Sequence, residues 1–173
     1  MSELDEAWEL ALAEAQTRAH AAGRRDIADY LSLRRRNDLL RRTATEWLIN
    51  EMIVLAGAAN RAGAGVQIEQ SEQHRFSRGS ASMVGRRLIL RRGVRELTVE
   101  SGWPRTPRDG IVRGGGLACA NIRHLGRTRM NSELLLVSSS NGSPRWFVLD
   151  ENEKHAILSQ SDLQRHVAIL TES

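Results

Sequence analysis

Residues able to attack, ligate or move a proton are sparse in this chain, and the densest group lies between Trp103 and His124. Cys119 would serve as a nucleophile only with a nearby base and a lowered pKa, and His124 is the one base close in sequence. Its setting, Leu117-Ala118-Cys119-Ala120-Asn121, reads instead as a strand in which a small apolar thiol is buried. Asp109 stands among Arg105, Arg108 and Arg113, the pattern of charge compensation in a loop rather than of a general base. Gly114-Gly115-Gly116 has no Lys-Ser/Thr after it and is no Gly-x-Gly-x-x-Gly, so it is neither a Walker loop nor a dinucleotide fingerprint. It fits a bulge or bend, or a nest of backbone amides for an anion with Arg113 beside it.

The five histidines show no metal-ligand spacing, and no Cys-x-x-Cys or His-Glu-x-x-His occurs, so no metal or cofactor is expected. His74 and His124 both fall in strand-like runs and are candidates to meet across a sheet. No catalytic residue is assigned. The candidate ligand-binding set is Trp103, Arg105, Arg108, Arg113, Gly114, Gly115, Gly116 and His124, because tryptophan and arginine together anchor many binding contacts.

Positioning that set is the task of the rest of the chain. Pro104 and Pro107 disfavour helix for the residues before them, so a loop interrupts the strands there. On its N-terminal side the period is helical. Ser2 and Asp5 have capping-box spacing, and Leu4, Trp8, Leu12, Ala15 and Ala19 form a thin stripe ending at Gly23. A second helix is expected over Asp26 to Arg42, with Arg34-Arg35-Arg36 as a solvated face answered by Asp26, Asp29 and Asp38. Thr43-Ala44-Thr45-Glu46 reads as the capping box of a third, whose wide face of Leu48, Ile49, Met52, Ile53, Leu55, Ala56 and Ala59 calls for a sheet; Asn60 and Gly63 stop it.

Strands follow. Val66 to Glu69 and His74 to Arg78 are expected as two extended segments with a polar turn at Ser71-Glu72. Gly85 to Arg91 and Val94 to Glu100 should form a hairpin about Arg92-Gly93, and Leu134 to Val137 another with Trp146 to Leu149 about Asn141-Gly142. After an acidic turn at Asp150 to Lys154, Ser159 or Ser161 caps a last helix carrying Leu163, Val167 and Leu170. The expected fold is α+β: N-terminal helices, an antiparallel sheet meander and a C-terminal helix, with the proline and glycine interruption displayed at the sheet margin. Residues 1–42 form a helical arm or hairpin before a sheet domain of residues 43–173, or the whole chain of 173 residues is one domain.

Charge narrows the function classes. The formal net charge is +4 and the pI near 10.4, but Lys154 is the only lysine and arginine titrates above about 12, so a GC-rich, bacterial-like coding background accounts for part of it. Residues 52–149 hold 15 basic and 6 acidic groups, so the positive charge is concentrated in the strand region. No apolar run reaches the roughly 18 residues of a membrane span, and Met1 to Leu10 lacks the order of a secretory signal, so a cytoplasmic protein is expected.

Three readings follow, in this order. The first is a non-catalytic binding or regulatory domain that recognises a protein partner or an anionic small ligand, with a homodimer formed through the N-terminal helix. The second is a nucleic-acid binder using Arg86, Arg87, Arg91, Arg92, Arg95, Arg105, Arg108 and Arg113, against which stand an aromatic fraction of 4% and the lack of a reader motif. The third is an enzyme with no recognisable motif.

Overall fold

The structure, a computed structural model, describes residues 3–141, 143–152 and 155–172. The expected layout is present: N-terminal helices, a seven-stranded antiparallel sheet and a C-terminal helix. Among the described residues no helix is long and apolar enough to cross a membrane. By internal contacts the chain divides into a unit of residues Met1–Arg42 and a unit of residues Thr43–Ser173.

In the first unit α1 (Glu3–Ala21) turns at Gly23, whose φ of 69° favours glycine, into α2, which runs from Arg25 to Arg61 and passes into the second unit. The two helices run antiparallel in this unit, held by polar contacts more than by a core. Trp8 Nε1 donates to Asp38 at 3.1 Å, Arg34 lies 4.9 Å over the Trp8 ring, Arg35 donates to Gln16 at 3.1 Å and Arg42 pairs with Glu9. Arg34 and Arg35 thus reach α1, and Arg35 and Arg36 are exposed to solvent. The Ser2 cap lies outside the described residues.

The expected third helix is not separate. No glycine or proline interrupts α2 before Gly57, so the helix continues through the Thr43-Ala44-Thr45-Glu46 box and Thr43 begins no new helix, while the Thr45 hydroxyl meets that of Ser101 at 3.0 Å.

In the second unit β1 (Gln67–Arg78), β2 (Ala81–Arg92), β3 (Arg95–Trp103), β4 (Ala118–His124), β5 (Ser132–Ser138), β6 (Pro144–Leu149) and β7 (His155–Ile157) follow one another across the sheet in chain order. Leu88 pairs with Val99 and Leu90 with Leu97, so the Gly93-Val94 hairpin sets the period-two register. β1 is one strand, not two, because a bulge between Ser71 and His74 absorbs the polar residues without a turn. Gly142, of the Asn141-Gly142 turn, lies outside the described residues, as do Glu153 and Lys154 of the acidic turn.

One face of the sheet presents Leu88, Leu90, Leu97, Val99, Ile122, Leu134 and Leu136, all fully buried against Leu48, Ile49, Met52 and Ala56 of α2 and Leu163, Val167 and Leu170 of α3 (Gln160–Thr171). Each such side chain contributes on the order of 2 kcal/mol. Ser159, not Ser161, caps α3, exchanging hydrogen bonds with Asp162, whose carboxyl is held below the usual range by the Ser159 amide and hydroxyl. At its other end Arg92 donates to the carbonyls of Thr171 (2.6 Å) and Glu172 (3.0 Å), and Arg95 also reaches Glu172. These arginines satisfy orphan carbonyls at the negative end of a helix.

Gly85 and Gly102 face each other on β2 and β3, where a Cβ on Gly85 would stand 1.9 Å from the Ser101 carbonyl oxygen. Gly85→Ala should destabilise by about 3 kcal/mol or fail to fold, the range of severe overpacking. Gly57→Ala, whose Cβ meets only the Arg61 guanidinium at 3.8 Å in α2, should stabilise by about 0.5 to 1 kcal/mol. Denaturant unfolding of both variants measures the contrast.

Candidate functional site

The stretch after β3 is built from the residues singled out in the sequence. Trp103 ends β3 on the helix-covered face, 3% exposed, and Arg105 turns back so that its guanidinium lies 3.9 Å over the indole and donates to the Val84 carbonyl at 3.4 Å. Pro107 to Asp109 make a short 3₁₀ turn closed by a capping box, in which the Thr106 amide and hydroxyl both donate to Asp109 at 2.9 Å. Those bonds hold the Asp109 carboxyl below the usual carboxylate range, with the Thr106 hydroxyl contributing most. Asp109 is thus a structural acceptor in the loop.

The loop does not hang at the margin of the sheet. It crosses the second face, where Val112 packs with Ala81, Met83, Cys119 and Leu135 in a smaller apolar cluster. A Cβ on Gly116 would stand 2.3 Å from a Leu135 methyl, so this glycine lets the main chain lie on β5, and the Leu117 amide then bonds the Leu136 carbonyl at 2.7 Å. Gly114 and Gly115 take positive φ values of 77° and 72°, and Gly115 faces open space. Between these anchors Arg108, Ile111 and Arg113 point outward. Ile111 is 78% exposed, and the two arginines form no ion pair among the described residues.

His124 does not join this group. It lies on the opposite face from Cys119 and is buried against α3, where its Nε2 and His166 Nδ1 are 2.9 Å apart and the rings stack with centroids 5.2 Å apart. His166 Nε2 in turn faces the Ser132 hydroxyl at 3.1 Å, while the His124 amide donates to the Asn131 side chain at 2.8 Å. The result is a buried chain of serine, histidine and histidine. His74, on the other face, bonds Glu100 at 2.9 Å, so the two histidines do not meet across the sheet. Cys119, His124 and Asp109 lie in three separate environments and form no constellation. His166 and Ser132 were invisible as partners of His124 in the sequence because 42 residues separate the two histidines and no spacing rule links them.

Burial depresses both imidazoles. His166 is pushed down to about 4, by burial first and then by His124 and Arg165, against a smaller opposing effect of Asp162. His124 is lowered by burial and by Arg127. The Cys119 thiol, fully buried, is raised by burial, so it stays protonated and unreactive. Among the described residues no group of three or more histidine, cysteine, aspartate or glutamate side chains is placed to hold a metal ion.

Most of the other arginines of the strand region are engaged internally. Arg91 pairs with Glu69 at 3.0 Å and Glu96 at 2.8 Å, Arg86 pairs with Glu72, Arg78 bonds Glu133 and the Leu134 carbonyl at 3.0 Å each, and Arg92 and Arg95 cap α3. No family model, curated protein or solved structure matches this chain.

An unfolded histidine titrates near 6.5 and His166 in the fold near 4, so between these values the unfolded chain holds the extra proton. The stability this residue contributes is complete above about pH 6.5 and is lost as pH falls toward 4. Unfolding free energy should decline from about pH 7.5 to about pH 5, and His166→Leu should flatten that slope; an unchanged slope would refute the assignment. Cys119 should resist alkylation in the folded protein and react at a normal thiol rate once it is unfolded, as followed by mass spectrometry.

Proposed function

We propose that the protein is a non-catalytic binding or regulatory module that recognises a protein partner through the loop from Trp103 to Gly116. The observation that carries this reading is the combination of a loop fixed at three points with an outward row it does not use internally. Thr106 and Asp109 close its first turn, Val112 is buried, Gly116 lies on Leu135, and Arg108, Ile111 and Arg113 remain displayed. A pre-ordered loop loses little conformational entropy on binding.

Two arginines flanking an exposed isoleucine fit an acidic segment that also carries an apolar side chain, and arginine offers carboxylates a planar, two-pronged donor. An anionic small ligand is the second reading for the same loop, supported by the left-handed pair Gly114 and Gly115 beside Arg113. Trp103, Arg105 and Gly116 act in either case as supports that set the loop. His124 is outside this surface. A nucleic-acid surface draws less support, because Arg86, Arg91, Arg92 and Arg95 are committed to glutamates or to α3. A cytoplasmic location and the absence of a bound cofactor belong to the same reading.

The test is titration of the isotope-labelled full chain with a glutamate-rich peptide containing one leucine, with pyrophosphate and with a single-stranded oligonucleotide, read at the backbone amides. The peptide should move the signals of Ile111 to Gly115, and Arg108→Glu with Arg113→Glu should weaken it at least tenfold, or about 1.4 kcal/mol, without changing thermal stability. Pyrophosphate binding at the same amides, with the peptide silent, selects the small ligand. Oligonucleotide binding that falls steeply with salt selects nucleic acid. Silence from all three removes the loop as a binding surface.

A further inference from the structure

We infer that the binding surface runs on from the loop over β5, β6 and β7, where Arg145 is a second anchor for carboxylates of the same acidic segment. The inference rests on the loop reading and adds to it a second contact on the sheet.

Residues directly opposite one another in an antiparallel pair share a face, and the register builds the surface from β5 outward. Leu135 pairs with Phe147 and Val137 with Arg145, so these four side chains form a block on the second face of the sheet. The loop is seated on the Leu135 corner, where a Cβ on Gly114 would stand 3.2 Å from a Leu135 methyl. Arg145 is the corner diagonally opposite, roughly 7 to 8 Å away between Cα atoms. Val137 and Phe147 are the two corners between, and Ile157 follows on β7 as the partner of Phe147.

This block is open to water. Val137 and Phe147 are half-buried, Ile157 is 55% exposed and Arg145 is exposed. The helices that pack on the sheet, α2 and α3, cover its other face. Apolar groups held on a finished sheet can be buried by a partner with little further ordering.

Charge indicates the occupant. Arg145, like Arg108 and Arg113, forms no ion pair among the described residues. The carboxylate that β5 carries on this face, Glu133, is already paired with Arg78 at 3.0 Å. Hydrocarbon therefore lies between cations, with Ile111 between Arg108 and Arg113, and Val137 and Phe147 between the loop and Arg145. Side chains two apart in an extended segment stand on one face about 7 Å apart, so the sequence pattern Glu-x-Leu-x-Glu matches the block.

The test is titration of the isotope-labelled full chain with the glutamate-rich, single-leucine peptide and with the same peptide lengthened by Glu-Ser-Leu-Ser-Glu. The longer peptide should bind at least tenfold more tightly, a gain of about 1.4 kcal/mol, and it alone should move the amides of Val137, Arg145, Phe147 and Ile157. Arg145→Glu and Ile157→Glu, both at exposed positions, should each cancel most of that gain, with thermal stability and binding of the shorter peptide unchanged. Lysines in place of the added glutamates should restore the gain to Arg145→Glu and remove it from the parent chain. A longer peptide that binds no more tightly, or that is indifferent to both substitutions, overturns the extension and leaves the loop reading standing. If neither peptide moves Ile111 to Gly115, the loop reading falls and this inference with it.

Discussion

Alternation along a strand sends successive side chains to opposite faces, and in this meander both faces are apolar at the centre, so both have to be covered. The larger face, built on Leu88, Leu90, Leu97, Val99, Ile122, Leu134 and Leu136, takes the end of α2 and all of α3. The smaller face, built on Met83, Cys119 and Leu135, takes the loop through Val112. The polar features of the molecule follow from that division. Where a helix covers the sheet, buried polar groups pair with one another, as Thr45 with Ser101 and His124 with His166. Where only a loop covers it, charged groups reach water at its rim.

Arginine does two different jobs here, and separating them decides how the positive region is read. Arg92 and Arg95 meet main-chain carbonyls at the end of α3, where a guanidinium satisfies acceptors that no amide reaches. Arg91 bridges Glu69 and Glu96 across three strands. Such side chains hold the sheet and its helix together, and little of their charge is left for an outside partner. Arg108 and Arg113 in the loop are of the other kind: both are exposed, and the neighbouring Asp109 is hydrogen-bonded to Thr106.

Local features of the sequence carried much of this fold. The Gly93 hairpin, the Ser159 and Asp162 box and the alternation from Leu97 to Glu100 were each legible because the residues that cause them are neighbours. The continuous α2 was not, since a capping box is only a preference and an uninterrupted run of helix formers overrides it. Nor was the bulge in β1, where Ser71 to His74 carry the turn-like polarity of a loop but remain paired on both sides. In the candidate site, the proline bend and the glycine run were visible, but their attachment to the second face depends on Leu135, distant in sequence. The serine and histidine chain depends on α3 lying over β4 and β5, which only tertiary packing establishes.

That same bulge has a consequence for how the sheet ends. β1 is its long outer strand, and an outer strand with unpaired amides invites another chain to add itself. Here Gln73 takes a φ of 56° and the run Glu69, Gln70, Glu72 places polar and charged groups along the rim. A newcomer would meet a kinked backbone and acidic side chains in place of a flat ladder, so growth of the sheet from molecule to molecule stops at this border.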